Sequence, residues 1–171
     1  VTIDGICGPG TVMPLMRLMR TVTGGAPTQL RDQAVREKRG PALADKVIVL
    51  DPSSRSDIAE TVYDIAQKIE GRLIALGVSV FLSRSATSSP NESERIALAN
   101  STDADLVISL SIDKYKNAKA EGLSTYFYGS ELHGIHSIVG ERFATIVQRE
   151  LVARTDLLNS RTHAKTWDLL R

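Results

Sequence analysis

The side chains in this sequence best suited to chemistry are two arginines and two aspartates. Arg84 follows Leu82-Ser83, and Arg95 lies in the run Glu94-Arg95-Ile96-Ala97-Leu98-Ala99-Asn100. A guanidinium presents a planar fork that fits a substrate carboxylate, yet the same fork fits Asp51, Asp57 or Glu92, and pairing with these acids at the rim of a sheet is the favoured reading. Asp51 closes an apolar run and Asp113 follows another. His133 and His136 stand three apart, which can set two imidazoles on one helix face, but the intervening Gly134 points to a loop and helix start with surface or capping histidines. His163, between Arg161 and Lys165, reads as solvated or interfacial. Ser53, Ser54 and Ser56 flank Arg55, a pattern in which a phosphate would find an arginine, although an ordinary serine-rich loop is the expectation. Met13, Met16 and Met19 recur at helical spacing and read as packing rather than a cofactor box. The single cysteine, Cys7, excludes an intrachain disulfide and a thiolate metal cluster.

These residues need elements to hold them. Residues 46–50 form a β-branched apolar run, a buried strand. Residues 57–76 place Ile58, Val62, Ile65, Ala66, Ile69, Leu73 and Leu76 on one helical face, and Gly77 supplies the stop. Further strands are expected at 78–82, 105–110 and 123–128. A second helix opens at Ser88-Ser89-Pro90-Asn91 and is capped by Asn100, and a long amphipathic helix spans 136–153. Such alternation predicts an α/β architecture, a mostly parallel sheet flanked by helices. Functional groups in such sheets gather beyond the carboxyl ends of the strands. Here those ends are Asp51-Pro52, Ser83-Arg84 and Ser109-Leu110-Ser111, giving a candidate cleft of Asp51, Arg84, Arg95 and Asp113.

Composition narrows the function. The 171 residues carry a formal net charge of +1, with 42% hydrophobic residues, so the chain has enough apolar content for a core and lacks the basic field that drives nucleic-acid binding. No apolar run approaches the roughly 20 residues that cross a bilayer, and no transmembrane segment is expected.

Taken in order, Val47-Ile48-Val49-Leu50-Asp51-Pro52, Leu76-Gly77-Val78, Leu82-Ser83-Arg84, the Glu94–Asn100 run and Asp105-Leu106-Val107-Ile108-Ser109-Leu110 resemble the N-acetylmuramoyl-L-alanine amidase family over about 46–171. The resemblance implies a zinc site in which a Gly-His-Gly-Gly loop after the first strand, a glutamate at the start of the next helix and a Ser-x-His-x-Asn motif each give a ligand. Three protein ligands plus a metal-activated water attack the amide between muramic acid and L-alanine. In this chain Ser53-Ser54-Arg55-Ser56 replaces the histidine loop, Ile58 falls at the glutamate position with Glu60 two residues away, and Ser111 falls at the histidine position. The expectation is that zinc, the cofactor of the family, is not retained and that Ile58 and Ser111 are degenerate ligand positions. The resemblance also places a final strand with a general-base glutamate just beyond Leu169-Leu170-Arg171.

Asp4-Gly5-Ile6-Cys7-Gly8-Pro9-Gly10-Thr11 resembles the core of a helical peptidoglycan-binding module. The expected organisation is the end of such a module at 1–27, a linker at 28–45 and an amidase-like domain at 46–171 lacking its last strand. Within the family the pattern is most similar to catalytically degenerate actinobacterial members. That implies a cytoplasmic, non-catalytic regulator of peptidoglycan precursor synthesis, with the enolpyruvyl transferase step and a serine/threonine kinase as partners and a peptidoglycan fragment as a further ligand. The alternatives are an active zinc amidase, with a histidine after Pro52 and Asp113 in place of Ser111, and a wall-binding module.

Overall fold

The computed structural model describes residues 42–114, 116–117, 121–130 and 135–170. The module expected at 1–27, most of the 28–45 linker, Cys7, the three methionines and His133 lie outside them.

The apolar run at the start of the amidase-like region becomes β1 (Val47–Pro52). It pairs in parallel with β2 (Ser79–Leu82) on one side and β3 (Leu106–Leu110) on the other, so it is the central strand of a three-stranded sheet. A strand covered on both edges and both faces must be apolar throughout. Ile48, Val49 and Leu50 are accordingly buried. Helix α1 (Ala59–Ala75) crosses from β1 to β2 and buries Val62 and Ala66. Its Ile69 and Leu73 pack on a core of Ile48, Leu50 and Val78, together with Val80, Leu82, Leu106 and Ile108.

The end of α1 is set by Gly77, as the sequence implies. The Gly77 N–H donates to Ile74 O (2.9 Å) and the Val78 N–H to Leu73 O (3.1 Å). This pair of bonds is the Schellman stop, with a left-handed residue at its centre. Gly77 has φ +84, and a Cβ there would stand 3.1 Å from the Ala44 Cβ. Helix α2 (Glu92–Ser101) begins at a capping box, with Glu94 N–H donating to Asn91 Oδ1 (3.0 Å) and Asn91 N–H to Glu94 Oε2 (2.8 Å). Its far end corrects the expectation for Asn100, which lies inside the helix. Thr102 is the cap, its hydroxyl donating to Leu98 O (2.9 Å), and Asp103 takes the left-handed position with φ 51.

Beyond β3 the described chain forms a second three-stranded sheet, ordered β5-β4-β6. Strands β4 (Leu123–Ser130) and β6 (Asn159–Lys165) are parallel, joined by helix α3 (Ile138–Val152), while the short β5 (Ile135–His136) runs antiparallel to β4. The α/β class with mostly parallel strands flanked by helices is as read from sequence, but the single sheet expected there is two sheets among the described residues. His136 belongs to β5 rather than to a helix. The Ser137 N–H donates to Tyr128 O (2.8 Å) and the Ser137 hydroxyl accepts from Gly140 N–H (3.0 Å), so α3 can start only after it. Strand β6 escapes sequence reading because Asn-Ser-Arg-Thr-His-Ala-Lys has no apolar run. Only Thr162 and Ala164 alternate inward among exposed neighbours. No helix among the described residues is long and apolar enough to cross a membrane.

Gly77→Ala is expected to lower the free energy of unfolding by about 1–2 kcal/mol, the cost of a left-handed residue with a Cβ. A lower urea midpoint at unchanged slope would register it.

Candidate functional site

The three strand ends converge on Asp51. Its side chain is fully buried. The carboxylate accepts from Ser83 Oγ just after β2 (2.6 Å), from Ser109 Oγ in β3 (2.8 Å) and from Arg95 Nη1 on α2 (2.8 Å). A buried carboxylate is tolerated when donors of this kind satisfy it and a cation stands beside it. Arg95 keeps one unmet group, a buried Nε with no partner.

Arg84 is also buried, at 5% exposure, but its partners are not the acids considered from sequence. Its Nε donates to Pro52 O (2.9 Å), Nη1 to Ser85 O (3.1 Å) and Ala86 O (3.5 Å), and Nη2 to Ser53 O (3.0 Å) and Ala59 O (2.7 Å). A guanidinium has five N–H donors, and five carbonyls receive them. Its carbon centre also lies 5.0 Å from the centre of the Tyr63 ring, within cation–π range.

The loops above this buried layer carry a second network. Arg55 Nε donates to Asp57 Oδ1 (2.8 Å), its Nη2 donates to Ile112 O, and its Nη1 lies 3.8 Å from Asp113 Oδ1. Lys114 Nζ lies 2.8 Å from Asp57 Oδ2. Hydrogen bonds from Lys114 and then Arg55 hold the Asp57 carboxyl down at about 2, against an ordinary 3.8. The four side chains thus cross-link the segment after β1 to the segment after β3. Sequence reading missed Arg55, Asp57 and Lys114 as a unit. The signal was present in the register, since pairing Pro52 with Leu110 sets the following residues of the two loops side by side.

Of the candidate cleft, then, Asp51 and Arg95 come together as an ion pair with Asp51 buried and Arg95 part-buried, Arg84 lies apart in a cage of carbonyls, and the Asp113 side chain is 85% exposed. Ile58 is buried, where it caps α1 by its backbone, and Ser111 is exposed. His136 lies 3.3 Å from Glu141, and His163 Nε2 lies 2.7 Å from Ser160 O.

The family's zinc can be tested against this donor set. An isoleucine side chain has no lone pair, a neutral serine hydroxyl is a weak ligand beside imidazole, and a guanidinium reaching across the two loops repels a dication. Among the described residues no group of three His, Cys, Asp or Glu could hold a metal. The residues present do not fit the metal.

This parallel-strand frame, with its strand-end rim, is that of an amidase. Residues 56–171 match the N-acetylmuramoyl-L-alanine amidase family, Amidase_3, and the chain belongs to it. The chain is 38% identical over 183 aligned positions to the N-acetylmuramoyl-L-alanine amidase CwlM of Mycobacterium tuberculosis (strain ATCC 25618 / H37Rv), a match that takes in 98% of this chain and 45% of that protein. The chain therefore spans under half the length of that relative. Two solved structures share the fold. The catalytic domain of the amidase CwlV from Bacillus (Paenibacillus) polymyxa var. colistinus superposes with a TM-score of 0.62 at 17% identity, over 74% of this chain and 73% of that one. The amidase AmiC2 of Nostoc punctiforme gives 0.59 at 20% identity, over 74% and 72%.

Two measurements bear on this site. Asp51→Ala, which leaves the part-buried Arg95 and the hydroxyls of Ser83 and Ser109 without their acceptor, is expected to cost about 3 kcal/mol, read by chemical denaturation, with Asp51→Asn losing less. The second concerns Asp57. Its folded pKa lies below its unfolded value, so its stabilisation is complete above about 3.8 and disappears as pH falls toward about 2. Wild type should exceed Asp57→Asn in melting temperature at pH 6, and the two should converge near pH 2, with added salt narrowing the gap.

Proposed function

We propose that this chain is a non-catalytic member of the amidase family, in which the fold serves as a scaffold for protein contacts and regulates peptidoglycan precursor synthesis. The observation that carries the reading is the donor set at the family's ligand positions: Ile58 buried under α1, Ser111 exposed after β3, and Arg55 bonded across the gap to Ile112 O. Hydrolysis in the family depends on a metal-activated water, and this donor set offers no ligands for the metal that would activate it. The rim survives without metal because Asp51 and Arg84 close it through the protein's own hydrogen bonds. On this reading the protein works in the cytoplasm, contacts the enzyme of the enolpyruvyl transfer step, and answers to a serine/threonine kinase.

The second reading is an active amidase that cleaves the bond between muramic acid and L-alanine. It is favoured by the family match and by the likeness to the mycobacterial N-acetylmuramoyl-L-alanine amidase.

Metal content and turnover separate the two. The full-length protein, loaded with zinc and dialysed, is expected to retain well under one zinc per chain and to release no peptide from purified peptidoglycan. Stoichiometric zinc accompanied by peptide release would establish the second reading instead.

A further inference from the structure

The three places where the family resemblance puts a metal ligand are joined in this chain through one arginine. Arg55 lies in the first of them, the Ser53–Ser56 loop after β1. Its carbonyl accepts from the N–H of Ile58 (3.0 Å), the second place, in the turn that leads into α1. Its Nη2 donates to Ile112 O, one residue past Ser111, the third. The backbone alone does not make this join. The Ser53 N–H donates to Leu110 O (2.9 Å), which carries the pairing of β1 with β3 one bond beyond the strands. Among the described residues no backbone hydrogen bond links 54–57 to 111–114 past that point.

The guanidinium is oriented to reach both segments. Its Nε donates to Asp57 Oδ1 (2.8 Å) on its own side, while Nη2 and Nη1 face Ile112 O and Asp113 Oδ1 (3.8 Å) on the other. A planar fork with fixed donor directions can span two segments in this way, and a point ammonium cannot. The second oxygen of Asp57 meets Lys114 Nζ (2.8 Å), so a return link crosses the same gap. Two cations are thus set against two anions, and the cluster is neutral within itself. Exposed ion pairs are weak one at a time and gain by acting as a network.

We propose, resting on the non-catalytic reading above, that Arg55 takes over the joining role a metal ion would have at these three places. The rim after β1 and β3 is then a single preformed surface whose order does not depend on metal. Coordination would tie three protein segments to one centre. Here one guanidinium and the carbonyl of the same residue reach the same three. Arg55 itself is exposed, so its side chain can be removed without opening the core.

Backbone amide order parameters of the full-length protein and of Arg55→Ala, both in EDTA, test this. The wild type is expected to hold about 0.8 in both 53–57 and 111–114, and Arg55→Ala to fall to about 0.6 or below in both while β1 and α1 stay as they were. Arg55→Lys should recover only part of the order at 111–114, because an ammonium cannot serve acceptors on both segments at once. Loosening confined to 53–57, or no loosening at all, overturns the joining role and leaves the non-catalytic reading standing. A wild type already loose at 111–114 in EDTA overturns it as well, and if added zinc then orders that segment the non-catalytic reading falls with it.

Discussion

Asp51 holds a carboxylate with no access to solvent, and such a group is stable only while its donors stay in place. Those donors come from three directions: Ser83 at the end of β2, Ser109 within β3 and Arg95 on α2. Parallel strands have no hairpin between them to fix their register, and an apolar sequence such as Val-Ile-Val-Leu can slide. A slip of one residue in β2 or β3 would remove a hydroxyl from Asp51 and leave a buried charge short of a partner. The hub therefore selects the register that the apolar core alone leaves open. Arg84 does the same for the loops, since its bonds to Pro52, Ser53, Ala59, Ser85 and Ala86 fix the path out of β1 and the path out of β2 together.

Above this layer, the cation that joins the segments after β1 and β3 is part of the chain. That cation is Arg55, tethered by the backbone. Its bonds to Asp57 and Ile112 O, and the bridge from Lys114 to Asp57, are exposed and individually weak. Their strength is collective, and it varies with salt and with the ionisation of Asp57.

How much of this could be read beforehand follows from where each signal lies. The first sheet and α1 were legible because burial on both faces forces an apolar run and because Gly77 ends the helix. The importance of Asp51, Arg84 and Arg95 was legible as charge at strand ends, but their partners were not. Whether an arginine meets a carboxylate or five carbonyls depends on loop paths that no spacing rule encodes. Strand β6 and its bulge were missed for a related reason. A polar strand exposed on one face has no hydrophobic period, and the left-handed Arg161 stands where a glycine would have advertised the turn. The ligand positions were visible only through family resemblance, because an isoleucine on a helical face and a serine after a strand are unremarkable by themselves.

The satisfied polar groups at the strand ends limit what that region can still bind. At the strand ends Arg84 has every donor engaged, and Asp51 accepts from three groups in full burial. For either to hold a substrate group, bonds that fix strand register or loop path would have to break, which sets the cost of binding against the stability of the domain itself. The rim is therefore held closed by the same bonds that set its strands in place.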